Sequence, residues 1–299
     1  MSRGQPLRRI LAESLNTIGS KFADTGKHLI GQRCYAIATL VDQRWSVPWY
    51  NLGLDYKNTG RWEDSLQCNQ RAVELNPQDE AAWWNLGIAA TALKNWPEAR
   101  RAWKAYGMAI EGDEGEVKMP LATACVRLDP RGSGEVVWGV RIDPARILIS
   151  NVPYPESGFR FRDVVLNDGA SNGTRADEDG NRVPVLDELA LWQASEYSTF
   201  AVRLLPSDAA SEGQLIALSH QNEVGIEDWS AVRILCAMCS RGNPGPHECV
   251  ATGEDDGFRR FGFGAKSRED LILLLRNWVD ANSACQYQEP QLLLSARRI

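Results

Sequence analysis

Histidine is scarce in this chain: three residues in 299, at positions 28, 220 and 247. Neither His28 nor His220 has a nucleophile or carboxylate at a spacing that suggests nucleophilic or general acid–base catalysis. Long apolar runs are missing too. None approaches the roughly 18 residues that a membrane-spanning helix requires, so no membrane association is expected. The opening MSRGQPLRRILAESLNTIG has arginines but neither an apolar stretch nor a small-residue cleavage site, which argues against a secretory signal. Gly262 and Gly264 in GFRRFGFGAKS lack the spacing of a P-loop or a dinucleotide-binding turn. The seven cysteines form no even framework. In a chain of this size they point to reduced thiols or a metal site, and hence to the cytoplasm.

Charge is shared unevenly. Residues 1–113 carry 14 Lys/Arg and 12 Asp/Glu, whereas residues 114–299 carry 19 and 27. The first part is thus slightly basic and the second distinctly acidic. An acidic second half disfavours nucleic acid as a partner, because phosphate neutralisation needs clustered Lys and Arg. The asymmetry also supports a boundary near residue 113.

What the chain does have is a near-repetition. WYNLGLDYKNTGRWEDSLQ from Trp49 is followed by WWNLGIAATALKNWPEARR from Trp83, 34 residues on. If Ser46 and Glu80 begin two units, Trp49 and Trp83 share position 4, Leu52 and Leu86 position 7, and Gly53 and Gly87 position 8. Trp62 and Trp96 then share position 17, Ser65 and Ala99 position 20. A degraded earlier unit from Ala12 keeps the register, with Leu15, Ile18, Gly19, Phe22, Gly26, Gly31, Tyr35 and Ala38 at positions 4, 7, 8, 11, 15, 20, 24 and 27.

This pattern closely resembles the tetratricopeptide repeat (TPR), a helix–turn–helix unit with a 34-residue period. The resemblance implies three units, 12–45, 46–79 and 80–113, and six helices. Small residues at positions 8 and 20 would let the two helices of a unit approach, and large ones at 4, 7, 11 and 24 would fill the gap to a neighbour. Asn69 at position 24, and Ala90 and Tyr106 at positions 11 and 27, depart from the family. Cys34 and Cys68 share position 23, where a small apolar side chain packs.

In the family the first helix of each unit lines a concave, peptide-binding surface. Carried over, that surface uses Tyr50, Asn51, Leu54 and Lys57 from the second unit and Trp84, Asn85 and Ile88 from the third. Side-chain amides such as Asn51 and Asn85 offer both donor and acceptor to an extended peptide, and aromatic residues are common affinity anchors. One TPR subclass grips a chaperone's C-terminal carboxylate with lysines and an arginine. Here Ala81, Asn85 and Asn16 stand at those positions, so a chaperone tail is not the expected partner.

Beyond Glu116 the pattern becomes alternating. ATACVRLDP, GEVVWGVRID, ARILISNVP and RDVVLNDGA read as strands. NDGASNGTRADEDGNRVP reads as a polar loop, with Asp177, Glu178 and Asp179 in a solvated turn. The segment around Val117–Leu128 is expected to cap the last repeat helix. From residue 199 onward, TFAVRLLP, a helix capped at Ser207 or Asp208, strands in SAVRILCAMC and FRRFGFGA, a helix opened by Ser267 and Asp270, and QLLLSARRI give the order β-α-β-β-α-β. That order fits a ferredoxin-like split unit.

The expected fold class is therefore α+β: a TPR domain over 1–113, a β-rich segment over 114–198 and an α+β domain over 199–299. One chemical constellation stands out. Cys236, Cys239, His247 and Cys249 are four soft ligands that could close a tetrahedral structural zinc site, with no open position for catalysis.

The leading functional expectation is a non-catalytic protein-binding adaptor, in a specific version a bacterial immunity protein that sequesters a basic toxin. Its acidic surface would comprise Asp177–Asp179, Asp187, Glu188 and Glu254–Asp256, favouring fast association. The competing expectation is an enzyme or zinc-containing regulator housed in residues 114–299, with the repeats as a targeting module. It requires a pocket with converging polar groups in that half.

Overall fold

Three residues spaced by 34, Gly26, Gly60 and Lys94, adopt left-handed backbone angles with φ of 76°, 72° and 56°. Each sits in the turn of a helical hairpin, where a chain reversal between two helices needs a positive φ. The computed structural model describes residues 5–119, 123–132, 134–177, 179–230 and 257–297. It divides into two units, Met1–Met119 and Pro120–Ile299.

The first unit contains six helices: α1 Gln5–Asp24, α2 His28–Val41, α3 Ser46–Asn58, α4 Trp62–Leu75, α5 Glu80–Ala92 and α6 Trp96–Tyr106. α1 starts well before Ala12, because residues 5–11 continue the helix without a break. Asp79 caps α5 by accepting from the Ala82 N–H, and Asn95 caps α6 by accepting from the Glu98 N–H, each satisfying one orphan donor.

Within each hairpin the glycine at position 8 faces the residue at position 24. A Cβ on Gly19 would lie 2.8 Å from the Tyr35 ring, and one on Gly53 2.6 Å from the Asn69 amide. The large residue at position 24 therefore also fills the space inside its own unit. Tyr35 extends from there to Leu52 and Cys68 of the next unit, so one side chain serves both interfaces. Asn69 fits by hydrogen bonding. Its amide donates to the Ser65 carbonyl and hydroxyl, and that hydroxyl donates to the Gly53 carbonyl.

After α6 the chain folds back. The buried guanidinium of Arg100 donates to the carbonyls of Glu111, Gly112, Glu114, Gly115 and Glu116. Arg100 thus organises this segment, and Val117 is completely buried. The cap does not extend to Leu128, which belongs to the core of the second unit.

The second unit begins with a closed five-stranded barrel: β1 Thr123–Arg127, β2 Val136–Arg141, β3 Arg146–Ile149, β4 Val164–Ala176 and β5 Arg182–Gln193. Neighbours are antiparallel, and β1 closes on β5 in parallel. An odd number of strands joined in sequence forces one parallel pair at closure. Val126, Leu128, Ile147, Ile149, Val165 and Leu186 fill the interior. Asp143 and Arg146, both fully buried, pair at 2.6 Å, and Asp143 also accepts two backbone N–H groups.

The stretch read as a polar loop is instead the β4–β5 hairpin, which carries several register shifts. Its outer end is largely exposed, so the apolar–polar alternation that marks a half-buried strand is absent there. At the turn, Asp177 accepts from the Asn181 backbone and side chain.

The remainder is β6 Ser198–Leu205, α7 Ala209–Gln221, β7 Gly225–Asp228, β8 Arg259–Ala265, α8 Arg268–Ala281, β9 Gln286–Tyr287 and β10 Gln291–Leu294. The sheet order β10-β6-β8-β7, with every pair antiparallel, is that of a ferredoxin-like unit. Its core includes Phe200, Leu215, Phe261, Phe263, Leu271 and Trp278. Asp208 makes a capping box with Ser211, and Ser267 accepts from the Asp270 N–H. The second strand is the short GIED segment. SAVRILCAMC, read as that strand, lies from residue 231 onward outside the described residues.

Candidate functional site

The repeat surface is more self-occupied than its sequence implies. Asn51 donates to the Asn16 side chain at 2.9 Å. Lys57 is buried and donates to Asn85 at 3.1 Å, so neither Lys57 nor Asn85 lies open to solvent. Ile88 is completely buried. Tyr50, Leu54 and Trp84 are half-buried. Trp84 packs edge-on against Trp103 at 5.1 Å and against Tyr106 at 4.8 Å. Asp55, also buried, accepts from Gln32 and pairs with His28 at 2.7 Å, which gives His28 a structural partner.

The first hairpin shows a different surface. Leu7, Ile10, Leu11 and Ile18 on α1, and Leu29, Ile30, Ile37 and Leu40 on α2, are 42–71% exposed. At 100° per residue, each set falls within about a third of its helix circumference, so each helix carries one apolar stripe.

In the second unit, a cavity of about 430 Å³ opens among β2, the segment after β3, β4, β7 and β8. Glu135, Trp138, Tyr154, Arg175, Glu227 and Trp229 line it. Trp229 stacks on Tyr154 at 4.9 Å, and the Trp229 indole N–H donates to the Val152 carbonyl. Its ring lies on Gly262, where any Cβ would collide with it. Gly264 and Gly225 make the same room for Phe161. These glycines are thus small for packing, not for phosphate binding.

Both carboxylates are perturbed. Burial pushes Glu135 up to about 7, against hydrogen bonds from the Tyr154 N–H and Ser157, and the nearby Glu227 raises it further. Burial also raises Glu227, opposed by a hydrogen bond from the Asn151 amide and by the Arg175 charge. Arg175 lies 5.3 Å over the Trp138 ring and donates to the Val136 carbonyl. Among the described residues, neither carboxylate has a Lys or Arg within ion-pair distance. Little in the amino-acid pattern points to this site, because Glu135 and Glu227 come from segments about 90 positions apart and lie on no shared motif.

Residues 47–79 match the tetratricopeptide repeat family. The segment of α3 and α4 is a tetratricopeptide repeat, and the helical hairpins on either side of it are TPR-like. Solved structures similar to this chain include the second TPR of Spaghetti (RPAP3) bound to the HSP90 peptide SRMEEVD. That similarity has 21% identity and a TM-score of 0.32, and covers 33% of this chain and 91% of that one. The second TPR domain of human RPAP3, in complex with the HSP70 peptide SGPTIEEVD, is similar at 21% identity and a TM-score of 0.32, over 33% and 82% of the two chains. No curated protein matches the sequence.

In the TPR segment, Cys68 is a buried core thiol, raised to about 12 by burial, and Cys34 is half-buried. The four candidate zinc ligands, Cys236, Cys239, His247 and Cys249, lie outside the described residues, as do Glu178 and Glu254–Asp256. Of the remaining acidic candidates, Asp187 pairs with Arg127 at 2.7 Å, and burial pushes Glu188 up to about 7. No helix among the described residues is long and apolar enough to cross a membrane.

Proposed function

We propose that the protein is an adaptor whose TPR segment binds another polypeptide. The observation that carries this reading is the pair of exposed apolar stripes on α1 and α2. Large exposed apolar patches on a soluble fold mark interaction sites. A solenoid hairpin left without a neighbour on one face presents such a surface. Tyr50, Leu54 and Trp84 offer a second contact surface on α3 and α5. The partner is not expected to be an acidic chaperone tail, since Ala81 and Asn85 replace the cations that the clamp subclass uses. A toxin-sequestering immunity role is the finer form of this proposal; its support is the acidic balance of residues 114–299. The zinc proposal rests on the Cys236, Cys239, His247 and Cys249 spacing, and metal analysis of the purified full chain decides it.

The test is affinity purification from the native host with two folded double variants. Leu29→Glu with Leu40→Glu alters the apolar stripe; Tyr50→Ala with Leu54→Ala alters the α3 surface. A stoichiometric partner lost in either one locates the binding surface. A partner retained by both overturns the assignment of binding to the TPR segment. The competing reading, chemistry in the second half, is favoured by the cavity beside Glu135 and Glu227.

A further inference from the structure

The cavity in the second unit combines features that select a ligand class. Two carboxylates, Glu135 and Glu227, share one partly desolvated space and feel each other's charge. Their hydrogen-bond partners, the Tyr154 N–H, Ser157 and the Asn151 amide, are neutral. Arg175 is the one charge opposing this at Glu227, and burial still outweighs it, so the carboxylates lose hydration that is not replaced in full. Three carboxylates, Glu135, Glu156 and Glu227, stand against Arg175 and Arg260 in the lining, so an anionic ligand would add repulsion at the carboxylate side, and an apolar one would deepen the desolvation. A cation offsets both costs.

The walls agree. Trp138, Tyr154 and Trp229 line the same space, and aromatic rings stabilise alkylammonium and guanidinium groups through their negative faces. The protein already uses the same chemistry at the site: Arg175 lies over Trp138, and Arg260 lies 5.4 Å from the centre of the Trp229 ring. Its size is that of a small-molecule site.

We propose that this cavity binds an organic cation, an ammonium or guanidinium group held by Glu135 and Glu227 against Trp138, Tyr154 and Trp229. The group comes either from a free small amine or from a Lys or Arg side chain of a polypeptide. The inference stands on the second unit alone and is independent of the TPR reading.

Full-length protein is titrated with agmatine, n-butylamine, the blocked peptide acetyl-Gly-Arg-Gly-amide, and glutarate as an anionic control. Tryptophan fluorescence and calorimetry are the readouts, since Trp138 and Trp229 line the site. Saturable 1:1 binding of at least one cation is expected, with glutarate inert. Glu227→Gln should weaken it by more than about tenfold, as removal of a partly buried ionic partner does. Glu135→Gln provides a second variant should the first not fold. Tighter binding of the peptide identifies a side chain as the source, and tighter binding of agmatine or butylamine identifies a free amine. No saturation by any cation at millimolar concentration, glutarate binding as tightly, or unchanged affinity in folded variants each overturns the proposal.

Discussion

Gly87 lies directly beneath the indole of Trp103: a Cβ placed on it would sit 2.5 Å from the ring. Trp103 is completely buried, so the ring has nowhere to retreat. Gly87→Ala should therefore overpack the third hairpin and cost about 1–3 kcal/mol, measured by denaturant unfolding. Gly53→Ala, facing the smaller Asn69, should cost less. Equal stability of Gly87→Ala and the parent would disprove the close approach.

Lys94 occupies the left-handed turn position that glycine holds at 26 and 60. A side chain there costs roughly 1 kcal/mol or more in backbone strain. Lys94→Gly should stabilise the TPR segment by about that amount, less the entropy glycine loses on folding. Thermal unfolding of the variant checks it; a lower midpoint contradicts the assignment.

Arg100 holds five carbonyls between Glu111 and Glu116 in one guanidinium fork. Arg100→Lys keeps the charge but cannot span them, since an ammonium lacks the planar fork. We expect faster amide exchange over residues 111–117 in both Arg100→Lys and Arg100→Ala, with a stability loss of roughly 2 kcal/mol or more. Full rescue by lysine would show that charge alone suffices.

Glu135 gives the fold a pH dependence of defined sign. Its folded-state value is pushed up to about 7, above the ordinary carboxylate range. Between those two values the folded state holds more protons than the unfolded one, so stability falls as pH rises from about 4.5 to about 7 and then levels. The charges facing it are Glu227, Glu156, Arg175 and Arg260. Glu135→Gln should flatten the slope in that window and raise stability at pH 8. Glu188, raised for the same reason, leaves a residual slope. A parent protein that gains stability across the window, or a variant with an unchanged slope, contradicts this.

The repeat register was legible because TPR packing is local. Positions 8 and 24 lie 16 residues apart in one hairpin, so Gly19 with Tyr35 and Gly87 with Trp103 leave a periodic trace. The ferredoxin-like order was legible from β6, α7, β8 and α8, whose apolar residues share one core, and from the apolar run of β10. The β4–β5 hairpin was not, because its outer end buries neither face and so carries no alternation.

Sequence alone thus determined the elements whose partners are near neighbours: hairpins, caps such as Asp208 and Ser267, and the 34-residue period. Tertiary structure decided what each polar side chain does. Asn51 and Asn85 suit a peptide in any sequence reading, yet Asn16 and Lys57 engage them. Glu135 and Glu227 are unremarkable apart, and only closure of the barrel beside β7 and β8 withdraws them from water together. Proximity of that kind depends on the summed path of the whole chain, which no local pattern encodes.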